Sequence, residues 1–149
     1  MRKRGAKIRH KCATAPGIIV QHVDREYLAR LQIACMAING GWMEVGHFNE
    51  LVDTLDMLNI GISIYARQKR DESTEVAIEV CRDALEAIQE RHAETGKFEA
   101  TEDEIKAVEL LVRTSIDFWN RRSLALYTFA YNELLNVRAS QQEEEKEAA

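Results

Sequence analysis

Seven carboxylates in one stretch of the chain form its clearest chemical pattern. Glu72, Glu75, Glu79, Asp83, Glu86, Glu90 and Glu94 follow one another at intervals of 3, 4, 4, 3, 4 and 4 residues. On an α-helix this spacing gives one acidic row roughly 33 Å long, with a carboxylate every ~5–6 Å. The apolar positions Ala77, Cys81, Ala84 and Ile88 are set two residues out of phase. Two residues are roughly 200° of helical rotation, so the row is expected to point away from the core. Like charges at these spacings oppose one another by a few tenths of a kcal/mol each. A solvated helix usually interleaves cations, and here that is limited to Arg82 and Arg91. The row reads in three ways. It is a solvent-facing stripe on a chain kept apart from its neighbours by net charge, or an imitation of a nucleic-acid backbone that docks in a basic groove. In the third reading the chain's own basic segment, or a partner copy's, lies on it.

That basic segment is the opposite candidate. Arg2, Lys3, Arg4, Lys7, Arg9 and Lys11 fall within residues 1–23, which hold no acid. They would bind phosphates with an affinity that falls steeply with salt. The segment has no aromatic residue to stack on bases, and the chain behind it is acidic. A solvated or processed tail is the competing reading.

Catalytic and metal patterns are weaker. Glu44-Val45-Gly46-His47 matches the Glu-x-x-His element of di-iron helical bundles, which use it twice, but it occurs once here. His10 and Cys12 sit in the arm, and His92 continues an apolar stripe. Helical nucleotide pyrophosphatases place two acidic helix pairs around magnesium. Glu50 with Asp53, and Glu72 with Glu75, have the residue types in reversed chain order, and Glu50 is expected on an outer face. There is no glycine-rich phosphate loop and no Ser/His/Asp or Cys/His arrangement. No catalytic residue, metal site or cofactor is therefore assigned. Trp119, Tyr127 and Tyr131 read as core or dimer contacts. Phe118-Trp119-Asn120-Arg121-Arg122 reads as a partner hot spot or an aromatic core edge. Arg113, Asp117 and Arg121 are spaced for an i,i+4 ion-pair ladder.

The elements that would position these residues are helices. The chain has 149 residues, one proline (Pro16) and seven glycines, with 46% hydrophobic and 30% charged residues. That is one domain's length with few breakers, so an all-α bundle is expected rather than a β-architecture. The net charge of −5 divides into a basic arm (1–23), an acidic body (24–140, net −8) and an acidic tail (141–149, net −3). Both ends lack apolar periodicity and are expected to be mobile, the arm flexible and the tail disordered. Four main helices are expected. The first starts from the cap Asp24 with Tyr27, Leu28, Leu31, Cys35 and Ile38 on one face, and ends at Asn39-Gly40-Gly41. The second carries Phe48, Leu51, Leu55, Leu58 and Ile62, with Gly61 weakening it by roughly 1 kcal/mol relative to Ala. After a polar connection from Gln68 to Glu72, the third bears the acidic row and stops near Thr95-Gly96. The fourth starts at the capping box Thr101-Glu102-Asp103-Glu104. Its apolar phase runs without Gly or Pro to about Ala139, which favours one helix of roughly 55 Å, with Asn120 as the place for a kink. Such a helix outruns its neighbours, which suggests a homodimer through it. Gly17 to Val23 suits a short strand or an extended arm.

Cys12, Cys35 and Cys81 are odd in number and widely spaced, so free thiols are expected. No apolar run approaches the roughly 18–20 residues of a membrane span, and no secretory leader is evident, so a cytoplasmic protein is expected.

The plan resembles small helical accessory proteins encoded in temperate phages and prophages of proteobacteria. The likeness lies in the Arg2-Lys3-Arg4 start, the helix from Asp24, and Gly40-Gly41 before a helix carrying Asn59. It continues through Thr95-Gly96-Lys97-Phe98, which lead into a long Gly- and Pro-free segment. The resemblance brings no catalytic residues. It implies host takeover, regulation, or inhibition of a defence system such as a CRISPR complex. The expected function is a non-enzymatic protein-binding module, an inhibitor offering the acidic row to the basic groove of a host nucleoprotein complex. The alternatives are a nucleic-acid-associated factor using the basic arm and a magnesium-dependent nucleotide hydrolase.

Overall fold

A computed structural model describes residues 25–65 and 72–149. Among them the protein is an all-α bundle of five helices with no strand: α1 (25–40), α2 (Val45–Tyr65), α3 (Glu72–Thr95), α4 (Glu102–Trp119) and α5 (Leu124–Ala148). The arm 1–23, the alternatives for Gly17 to Val23, the cap Asp24 and most of the connection from Gln68 lie outside the described residues.

Each helix end follows from a local residue choice. Gly41 takes a positive φ of 73°, and Trp42 N–H donates across the turn to the Ala37 carbonyl at 3.0 Å, which closes α1. Gly40 has no Cβ because the Trp42 indole rests on it. Gly96, at φ 75°, ends α3 in the same left-handed way. Thr101 and Glu104 form the expected capping box: Thr101 Oγ1 accepts from the Glu104 N–H at 3.2 Å, and Glu104 accepts from the Thr101 N–H at 2.8 Å.

The segment expected as one long helix is two. α4 ends at Trp119, residues 120–123 turn, and Ser123 caps α5 by accepting from the Leu126 N–H at 3.3 Å. The turn lets α5 fold back along α2, burying Ala130 and Leu134. Arg138 of α5 pairs with Asp53 and Asp56 of α2. The expected tail also differs, because α5 continues as helix through 141–148 with every one of those residues exposed. The length argument for a dimer through a 55 Å helix falls with that helix.

One core cluster joins all five helices, and its most completely buried side chains include Leu31, Leu51, Leu58, Ile88, Leu111 and Trp119. α3 packs mainly on α4, and α2 lies between α3, α4 and α5. Between α1 and α4 the buried Tyr27 hydroxyl and Ser115 Oγ are 2.8 Å apart. His92, Phe98 and Phe48 stack in sequence, with ring centroids 3.8 and 4.9 Å apart. That stack holds the α3–α4 connection against α2.

Candidate functional site: an uncompensated acidic helix face

α3 runs from Glu72 to Thr95, so all seven carboxylates stand on one unbroken helix. The face opposite them is the core face: Ile78, Cys81, Ala84, Leu85 and Ile88 are buried. Glu79, Asp83, Glu86, Glu90 and Glu94 are exposed. Glu75 is half-buried and engaged in an interaction of its own, and the Glu72 side chain is outside the described residues. The carboxylates of the row that are exposed among the described side chains are its carboxy-terminal five.

The two arginines of α3 do not neutralise those five. Arg91 turns to α4, where it grips both carboxylate oxygens of Glu104 at 2.8 and 3.0 Å and also donates to the Glu99 carbonyl. That bidentate bond raises the Arg91 pKa. It also lowers that of Glu104, which accepts from the Thr101 N–H as well. Glu94 feels some of the Arg91 charge. Arg82 lies near enough to Asp56 of α2 to favour its ionised form. Among the described residues no cation stands within 4 Å of Glu79, Asp83, Glu86 or Glu90. The basic-arm residues Arg2, Lys3, Arg4, Lys7, Arg9 and Lys11 lie outside the described residues.

The catalytic patterns have structural partners. His47 Nδ1 accepts the Glu44 N–H at 3.1 Å where α2 begins, and its ring meets the Trp42 indole edge-on at 5.3 Å. Glu44 and His47 thus shape a helix start. Glu50 is not on an outer face: it is half-buried beside Arg30, 3.2 Å away, in a groove between α1, α2 and α5. The helical-wheel expectation failed there because α5 folds back over that side of α2. Asp53 and Asp56 are held by Arg138, while burial raises both their pKa values against its pull. Among the described residues no three His, Cys, Asp or Glu side chains are grouped to hold a metal ion. Cys81 is buried, its thiol pushed up to about 11 by desolvation, and donates to the Ala107 carbonyl at 3.4 Å. His10 and Cys12 lie outside the described residues.

The aromatic stretch at 118–122 is an internal cluster. Trp119 is buried and meets Phe118 and Tyr127 edge-on at 4.9 and 5.0 Å. The Arg122 guanidinium sits 3.8 Å from the Tyr65 ring centroid and 4.6 Å from that of Phe118. This clamp across the α4–α5 turn escapes sequence reasoning, because Tyr65 is 57 residues from Arg122. Gly61 proves to be a packing device: a Cβ there would meet Trp119 and Phe118 at 2.7–2.9 Å.

Among the described residues no helix is long and apolar enough to cross a membrane. Compared with known protein families, curated proteins and solved structures, the chain matches none.

Proposed function

We propose that the protein is a non-enzymatic binding module whose working surface is the outer face of α3. It presents Glu79, Asp83, Glu86, Glu90 and Glu94 to a basic groove on a cytoplasmic complex that handles nucleic acid. The observation that carries this reading is the fate of Arg82 and Arg91. Arg91 is drawn to Glu104 on a neighbouring helix and, among the described residues, Arg82 pairs with none of the five, so the row keeps its charge. Carboxylates recurring every ~5–6 Å along a rigid rod resemble the phosphate step along one strand, and desolvation in a basic groove strengthens every pair they form. The accessory phage proteins that the sequence resembles would use such a surface to occupy a host or defence complex in place of its nucleic acid.

Affinity purification from a proteobacterial host with mass spectrometry tests this. Wild type is run beside Glu79→Lys/Asp83→Lys/Glu86→Lys and beside Glu143→Lys/Glu144→Lys/Glu145→Lys, which changes net charge equally. All six positions are exposed, and far-UV circular dichroism checks the fold of each variant. The expected result is a nucleic-acid-handling complex with wild type and the tail variant, lost with the row variant and displaced by added nucleic acid. Equal recovery with both variants would leave the row as a solvated face and sink the proposal.

A further inference from the structure

A second row of charges, on α4, has a different character. Glu109, Arg113, Asp117 and Arg121 are four residues apart and alternate in sign, and all four are exposed. The sequence pattern predicts a ladder within the chain, and the structure does not close it. Among the described residues none of these four side chains has an ion-pair partner within 4 Å. For Asp117 the physical reason is local, and nothing in the structure explains the open Glu109–Arg113 pair. Arg113 precedes Asp117, the less favourable order for an i,i+4 pair on a helix. Arg121 lies beyond the last residue of α4, Trp119, so it no longer stands one helical turn above Asp117.

Glu109, Arg113 and Asp117 border a groove between α4 and α1 of about 270 Å³, larger than the polar groove between α1, α2 and α5. Leu28 and Cys35 of α1 and Val112 and Ile116 of α4 form its apolar floor. Desolvation raises the Cys35 pKa, and the neighbouring Glu109 adds to it. On α1, Met36 follows the groove residue Gln32 by one helical turn and is 64% exposed, and Ile33 is 47% exposed. An apolar floor with exposed apolar neighbours and unpaired charges along one edge is the make-up of an interface.

We infer that this face binds a second copy of the chain, with the two α4 helices antiparallel about a two-fold axis at the level of residue 115. The charge order commits the occupant. Read forwards the row is minus, plus, minus, plus, and an antiparallel copy reads plus, minus, plus, minus. Arg113 then meets Asp117 of the second copy, and the axis generates the pair again, while Glu109 faces the end of the second α4, where its Arg121 lies in the turn. The two central charges each find their opposite, as an isologous interface requires. A single-sign row cannot do this. The inference is independent of the proposed function, since no residue of the α3 row lines this groove.

Sedimentation equilibrium on the full chain tests the pairing, at protein concentrations up to roughly 100 µM, above the Kd of a modest dimer. Salt of about 50 mM is compared with about 500 mM, where exposed charges are screened. Wild type should sediment as a dimer that weakens with salt. Arg113→Asp places like charges at two symmetric contacts and should raise the dimer Kd by about tenfold or more, as should Asp117→Arg. The double exchange Arg113→Asp/Asp117→Arg restores opposite charges at both symmetric contacts and should bring the Kd back towards that of wild type. This rescue separates charge pairing from any loss of folding, and a partner of another sequence would not produce it. A wild-type monomer throughout, single exchanges without effect, or a double exchange no better than the singles would each overturn the inference.

Discussion

Tyr27→Phe perturbs the seam between α1 and α4 in a way that pH can read. The Tyr27 hydroxyl is 2.8 Å from Ser115 Oγ, and Thr54 is a further hydrogen-bond partner of Tyr27. Ser115 is fully buried and Thr54 almost so. Phenylalanine keeps the ring and strands the Ser115 hydroxyl away from water, which costs about 1–2 kcal/mol. The same hydroxyl also titrates abnormally. Burial pushes the Tyr27 pKa from 10.0 up to about 12, against the opposing bonds from Ser115 and Thr54. The folded protein therefore holds this proton to higher pH than the unfolded chain does. The corresponding stability, about 2–3 kcal/mol, is whole below pH ~10 and is lost as pH rises through ~12. Urea unfolding followed by far-UV circular dichroism from about pH 8 to pH 12 measures both effects. At about pH 8 the phenylalanine variant should be the less stable by ~1–2 kcal/mol. Wild type should then fall more steeply, and the two curves should meet between about pH 11 and pH 12. Lysine deprotonation affects both proteins alike and cancels in the difference. A gap that stays constant across the range would refute the reasoning, because Tyr27 would then titrate alike in the folded and unfolded chains.

Two further substitutions test the packing. Gly61→Ala gains about 1 kcal/mol of helix propensity. The new Cβ would stand 2.7 Å from Trp119 Cη2 and 2.8 Å from Phe118 Cε1. Trp119 is only 2% exposed and has little room to swing away. Overpacking of ~1–3 kcal/mol should win, giving a net loss of up to roughly 2 kcal/mol and a lower thermal midpoint, and a raised midpoint would contradict this. Glu104→Ala removes half of the capping box and the carboxylate that Arg91 grips, and should cost about 1.5–3 kcal/mol near neutral pH. Because the folded-state pKa of Glu104 is lowered, its contribution is present above the ordinary glutamate range and lost as pH falls through it. Denaturation near neutral pH and again well below that range should therefore show the cost shrinking, and an undiminished cost in acid would exclude the ion pair as its source.

Helix type and most helix ends were legible in the sequence because their causes are local. The 3.6-residue apolar period, the Thr101–Glu104 box and the glycines at 41 and 96 each act within a few residues. The break at 120–123 escaped for a physical reason. Four residues are close to one helical turn, so the apolar phase at Trp119 resumes at Leu126 and Ala130 as though the helix had continued. No glycine or proline marks the turn. It is held by the Ser123 cap, which is local, and by Arg122 against Tyr65, which is not. Once α5 folds back, Glu50 leaves the outer face and Arg138 reaches Asp53 and Asp56. The same topological step therefore misplaced Glu50 and hid the pairing of Arg138 from the sequence.

The acidic row was legible as a face but not as an uncompensated one. Sequence placed Arg82 and Arg91 on the same helix as the acids. Whether they neutralise the row depends on which neighbour packs beside them. Arg91 has a better offer in Glu104, where a planar guanidinium meets both oxygens of one carboxylate, a geometry that the solvated row cannot match. The two charged faces then follow different logic. A row of one sign repels its own copy, so α3 calls for a partner of opposite charge. A row of alternating sign has no net field at a distance but fits its own reverse, so α4 calls for itself. Salt weakens both contacts. Charge reversal separates them, because an exchange of Arg113 with Asp117 is silent to an antiparallel copy, whereas no rearrangement within the α3 row can restore what three lysines remove.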